Sequence, residues 1–170
     1  GFVETGGPNA DTWLGVDIQP DGKIICAGST DVPPRAGAIG RFNEDGSVDT
    51  AFGGGTVVFA PNGIDEFCRD IKYQAGRVVV CGSTDVGAGV YEVFIAGFLT
   101  TGVLDASFGT GGVTQTAVGA IADFANGMDL LADGIVIVGQ TEVAGPAQQP
   151  FIIEYVAVGG VVAASPLVLT

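Results

Sequence analysis

The chain spells nearly the same nine residues twice, KIICAGSTD at Lys23–Asp31 and RVVVCGSTD at Arg77–Asp85. A third copy is present in weaker form. Gly28 of CAGST recurs as Gly82 of VCGST, 54 residues on, and as Gly139 of IVGQT, 57 further. Phe42, Phe98 and Tyr155 keep steps of 56 and 57, and Phe52 and Phe108, in DTAFGGG and DASFGTGG, lie 56 apart. Asp17, Asp70 and Asp129 precede the apolar runs IICAG, VVVCG and IVIVG. Self-similarity at such a period marks a repeat architecture, in which each copy buries its faces against its neighbours. The reading is one β-repeat domain over residues 1–170, with repeats at about 10–62, 63–120 and 121–170. Residues 1–9 then continue a preceding repeat, because FVET corresponds to TVVF at Thr56, VTQT at Val113 and LVLT at Leu167.

Punctuation predicts four strands per copy. In the first, a strand over Trp13–Gln19 turns through QPDGK into a second at Lys23–Ser29. A longer loop leads to a third around Ala38–Phe42, and NEDGS starts a fourth segment. The stretch Ala117–Leu131 has some helical spacing, but its counterparts read as strand, so the whole chain is taken as β. Each second strand is a continuous apolar run, which implies that both sheet faces are covered. Gly28, Gly82 and Gly139 are expected to let facing sheets approach. Four-stranded antiparallel blades stacked face to face give an all-β, propeller-like fold.

With 29 Gly and 47% hydrophobic residues, the composition suits many short strands and tight turns. A net charge of −13 would repel a phosphate backbone, so no nucleic-acid partner is expected. No apolar run approaches the ~20 residues that span a bilayer, so no membrane insertion is expected. Three Cys cannot form a complete disulfide framework. Cys26 and Cys81 sit in apolar runs, and Cys68 is expected to be the most exposed of the three.

QPDGKIICAGST, RFNEDGSVDTAFGGGTVV and VLDASFGTGGVT together resemble the bacterial delta-60 repeat family, over nearly the whole chain. The third copy departs from it, since VVAASPLVLT lacks the Asp and Phe of the motif. The resemblance implies propeller blades, no defined catalytic motif, and an extracellular or cell-surface setting within a larger protein.

The chain has no His, which removes the usual general base and His-ligated zinc. A cysteine nucleophile would lack its partner, and only paired carboxylates would remain for catalysis. No enzyme is therefore expected. Asp17, Asp70 and Asp129 are read as bonding neighbouring backbone amides. The NEDGSVD stretch has calcium-like oxygens but lacks the terminal bidentate Glu, and a turn with a Gly exit explains it.

In an up-and-down blade, the loop after strand two and the loop entering strand one open at the same end. The first carries Asp31, Asp85 and Glu142; the second carries Asp11, Asp65 with Glu66, and Asp123. These acids are expected to gather at one end of the stack, either as a solvated rim or as a cation or polyol site. Asp11, Asp31, Asp65, Asp85 and Asp123 are the candidate metal ligands; no cofactor is expected, calcium being the one metal they suit. The loops after strand two also differ most between copies, where recognition usually lives. Arg35, Tyr91 and Phe94, with Asp31, Asp85 and Glu142, are the candidate ligand contacts.

The expected function is a non-catalytic binding or adhesion module that recognises a glycan or surface protein. A purely structural or oligomerising repeat is the alternative, and a carboxylate-based glycan-cleaving enzyme the third. Partners are expected to be further copies of the chain, for example two three-blade chains closing a six-bladed ring, or neighbouring repeats of a longer chain.

Overall fold

The computed structural model describes residues 12–30, 33–144, 147–158 and 161–165. Among the described residues, twelve strands form three separate four-stranded antiparallel sheets, each ordered as in sequence. Blade 1 contains β1 (Thr12–Ile18), β2 (Ile24–Ser29), β3 (Gly37–Phe42) and β4 (Thr56–Phe59). Blade 2 contains β5 (Glu66–Gln74), β6 (Arg77–Gly87), β7 (Val90–Leu99) and β8 (Val113–Thr116). Blade 3 contains β9 (Asp123–Leu131), β10 (Gly134–Glu142), β11 (Gln148–Val158) and β12 (Val161–Ser165). The three sheets do not close into a ring. Ala117–Leu131 contributes a strand, as the repeat demands. The terminal segments Phe2–Thr5 and Leu167–Thr170 lie outside the described residues.

The continuous apolar runs have the cause expected of them. Along β6 and β7, alternate residues serve two different cores. Val78, Val80, Phe94, Ala96 and Phe98 pack with Ile25, Ala27, Ile39 and Phe52 of blade 1. Val79, Cys81, Val93, Ile95 and Phe108 pack with Ile135, Ile137, Ile153 and Tyr155 of blade 3. Blade 2 is thus apolar on both faces because a neighbour covers each face.

The glycines of the runs act differently from expectation. The first strand of every blade carries a β-bulge, at Trp13/Gly15, at Cys68/Asp70 and opposite Val138/Gly139. The bulge tilts a carbonyl of the first strand toward the second. A Cβ on Gly28, Gly82 or Gly139 would run into the carbonyl oxygen of Thr12, Phe67 or Phe124 respectively. The close approach is within a sheet, not between sheets.

A plug recurs after the third strand. Asp49 Oδ1 accepts from Ala51 N, and Asp105 Oδ1 from Ser107 N, closing a turn that delivers Phe52 and Phe108 into the two cores. A base at the start of the second strand meets each carboxylate, Lys23, just before β2, at 2.8 Å from Asp49 and Arg77, the first residue of β6, at 2.6 Å from Asp105. Arg41 also binds Asp49 at 2.8 Å and lies over the Phe52 ring. The lysine-to-Asp49 bond, foremost, and the Ser107 hydroxyl on Asp105 hold both carboxyls below the usual range. NEDGS is a turn, with Gly46 N donating to Asn43 O at positive φ, and Asp45 is held by Ser47. These oxygens are committed to the fold, which removes the calcium-loop reading.

Candidate functional site

At the end of the stack where second strands finish, four aromatic and cationic side chains form a row across all three blades. Arg35, from the β2–β3 loop, lies 5.4 Å over the Phe67 ring. Phe67 meets Tyr91 at 5.9 Å between centroids, and Tyr91 meets Phe124 at 5.4 Å with planes 34° apart. Arg69 also lies over the Phe67 ring, 5.8 Å from its centroid. All five are half-buried, so one flank of each remains open to solvent.

The backbone explains the row. Phe67 and Phe124 hold the same place in β5 and β9, one residue before the bulge pair and opposite Ser83 and Gln140 of the second strands. Tyr91 is the second residue of β7, paired to Asp85 across the hairpin and bridged to Ala122, just before β9. The β2–β3 loop is strapped down: Arg35 N donates to Asp65 Oδ1 at 2.7 Å, and Glu66 N donates to Arg35 O at 3.1 Å. Burial, and then the carboxylates of Asp65 and Asp85, push the Tyr91 phenol up, while Arg35 opposes them. Arg35, Asp65, Asp85 and Tyr91 therefore share one electrostatic neighbourhood.

Other expected site residues are placed elsewhere. Phe94 is fully buried, because β6 and β7 run on to a two-residue turn at Ala88 and Gly89, both at positive φ. What reads as a loop is strand, and Phe94 belongs to the core. Asp123 is also buried; its carboxylate accepts from Val118 N at 2.7 Å and Gly119 N at 3.0 Å. Glu66 does the same in blade 2, accepting from Asn62 N and Gly63 N. Both shape the loop that enters the first strand. Among the described residues the buried Glu66 Oε2 meets no donor, and burial, the largest effect on this carboxyl, raises its pKa. Asp85 Oδ1 takes Gly87 N at 2.7 Å. Glu142 occupies the matching place in blade 3, its N–H bonded to Ala122 O. Asp11 and Asp31 lie outside the described residues. Among the described residues, no three of Asp, Glu, Cys and His come together to hold a metal. Asp65, Asp85 and Asp123 do not by themselves make a cation site. Cys68 is fully buried and Cys26 is the partly exposed thiol, the reverse of expectation.

The opposite end holds a cavity of about 750 Å³ between blades 2 and 3, bordered by Arg77, Asp105, Phe108 and Asp133. Its counterpart between blades 1 and 2 is about 370 Å³. There Arg41 fills the junction, donating to Thr100 O at 2.7 Å, whereas blade 2 has Gly97 at that register.

Sequence reasoning overlooked Phe67, Phe124 and Arg69. A signal was present: an acid followed by Phe, Glu66-Phe67 and Asp123-Phe124, recurs 57 residues apart.

A family model described as a domain of unknown function (DUF5122), beta-propeller, matches residues 19–52 and 76–108. No curated protein matches the chain. In both blades the matched stretch runs from the first hairpin turn to the buried plug, Phe52 or Phe108. The motif therefore encodes the blade, with its turn, bulge glycine, ion pair and plug, and the chain is built of β-propeller-type repeats.

Proposed function

We propose that the chain is a non-catalytic binding module that takes a glycan on the Arg35–Phe67–Tyr91–Phe124 face. The observation that carries this reading is the half-buried aromatic row. Rings held in tilted contact by their neighbours offer apolar area at little entropic cost, and the Tyr91 hydroxyl adds a polar tip. Asp65 and Asp85 supply acceptors for sugar hydroxyls, and Arg35 supplies donors, the mixture typical of a specific site. The resemblance to delta-60 repeats supports a setting at a bacterial surface or in a secreted protein.

The alternative is a structural or oligomerising repeat. It is favoured by the motif residues Asp49, Phe52, Asp105 and Phe108, all of which serve the blade itself. A glycan array followed by calorimetric titration separates the two. A hit should weaken at least about tenfold in Tyr91→Ala, with little change in melting temperature, as expected when an anchor ring is removed. An array without hits, or a hit indifferent to Tyr91→Ala, refutes the binding face.

A further inference from the structure

The first strands β1, β5 and β9 each present an edge that does not pair within their own sheet, and carboxylates join these edges between blades. Asp17 Oδ1 accepts from its own neighbour Ile18 N at 2.9 Å, and Oδ2 accepts from Tyr73 N of blade 2 at 2.8 Å. Asp70 repeats the device one blade on: Oδ1 accepts from Ile71 N at 2.8 Å, and Oδ2 from Met128 N of blade 3 at 2.9 Å. Asp129 Oδ1 accepts from Leu130 N at 2.9 Å, but among the described residues its Oδ2 meets no donor, and the side chain is exposed.

The three carboxylates are not equivalent in register, although the repeat suggests it. Counted from the bulge, Asp17 and Asp129 stand opposite Ile25 and Val136, whereas Asp70 stands opposite Cys81, two places earlier. Blades 1 and 3 read Gly-x-Asp (Gly15, Asp17; Gly127, Asp129), and blade 2 reads Asp-Ile-Lys (Asp70, Ile71, Lys72). The alternation has a steric partner. A Cβ on Gly15 would sit 2.6 Å from Asp70 Cα, so glycine admits the next blade's backbone at that acid. At Gly127 the nearest atom is Val138 Cγ2 of its own blade, at 3.8 Å. Among the described residues, nothing fills beside blade 3 the space that Asp70 fills beside blade 1.

We infer that blade 3 is a docking face for one further blade, whose first strand carries its carboxylate at the Asp70 register. Blade 3 presents what blade 1 presents to blade 2: the glycine gap, the Asp129 acceptor and an apolar face. Val138 on that face is 46% exposed, while its counterparts Ala27 and Cys81 are fully buried under the next blade. Continuity with the two existing junctions thus specifies the occupant. The first strand of a second copy does not fit it. Asp129 would address the register of Ile18, whose N–H already serves Asp17, and two carboxylates would converge on one donor. The matching occupant instead leaves free the N–H that Tyr73 offers, and brings its own acid two places earlier.

The test adds hairpin peptides to the full chain and reads the backbone amide shifts of Leu130 and Val138, which report blade 3. One peptide reproduces residues 65–87 with Cys68 and Cys81 replaced by Ser; the other reproduces residues 12–30. The first should perturb these amides at a concentration at least about tenfold lower than the second. Asp129→Asn in the chain, or N-methylation at Tyr73 in the peptide, should each weaken binding about tenfold, and together no further, because both remove one bond. Equal binding by the two hairpins, tighter binding by residues 12–30, or losses that add would overturn the inference.

Discussion

Gly82→Ala tests the bulge-and-glycine account of the blade most directly. An ideal Cβ there would run into the Phe67 carbonyl oxygen, and would lie 2.9 Å from its carbon and 2.8 Å from Phe94 Cε1. Neither obstacle yields easily: the carbonyl is held by the bulge, and the Phe94 ring is fully buried. Overpacking of this kind costs about 1–3 kcal/mol, and the upper end applies where backbone must move. The loss of unfolded-chain freedom on Gly→Ala returns about 0.4–1 kcal/mol. The net is a destabilisation of about 2 kcal/mol, or roughly 4–8 °C in melting temperature for a chain of this length. Gly127→Ala is the control, because the nearest atom there is 3.8 Å away and the backbone needs no positive φ. It should be neutral or stabilise by up to about 1 kcal/mol. Urea unfolding measures both, and an unchanged m-value ensures that the native state is being compared. Phe94→Leu should not rescue Gly82→Ala, since the carbonyl remains. Equal stability of the two alanine variants, or rescue by Phe94→Leu, would refute the reasoning.

Glu66 is held above its ordinary value of 4.5 chiefly by burial, so the folded chain binds that proton more tightly than the unfolded one. Its contribution is present below that value and is lost as pH rises through the folded pKa. Glu66→Gln, which keeps the acceptor for Asn62 and Gly63, should raise the melting temperature at neutral pH, and the gain should vanish at about pH 4. Asp49 and Asp105 have the opposite sign: held below 3.8, they stabilise above it and lose that stabilisation as pH falls through their folded values. Asp105→Asn should lower stability at neutral pH and flatten the acid limb of a thermal-melt series. Burial raises all three thiols, Cys81 to about 12. Iodoacetamide should therefore label Cys26 first in the native chain, and reach Cys68 and Cys81 only on unfolding.

Fold class was legible because period and punctuation agree with the backbone: QPDGK, NEDGS and the apolar runs each predict an element close to where it lies. Register was not legible. A bulge inserts one residue into each first strand, and no residue type within that strand marks it, so Asp70 reads as equivalent to Asp17 although it stands two places away. The site was half legible. Arg35, Tyr91, Asp65 and Asp85 do come together, but Phe94 was assigned to a loop because the Gly-Ala-Gly sequence near Val90 reads as a long connection. In fact Ala88 and Gly89 make the whole turn, and strand continues on both sides. The acids Glu66 and Asp123 looked like ligands for the same reason that they are useful indoors: a carboxylate can collect two backbone N–H groups at once.

The sharing of blade 2 between two cores has a consequence for how such a chain comes apart. No blade owns a core; blade 2 supplies half of each core and blades 1 and 3 half of one, so cohesion resides in the junctions, and stability follows their number and couples nearest neighbours, as in a one-dimensional lattice. Amides of β6 and β7, with a junction on each face, should exchange only in the deepest openings, and those of β2 and β10 in shallower ones. Unzipping then proceeds inward from whichever face is bare, and each added neighbour deepens the protection of the blade behind it.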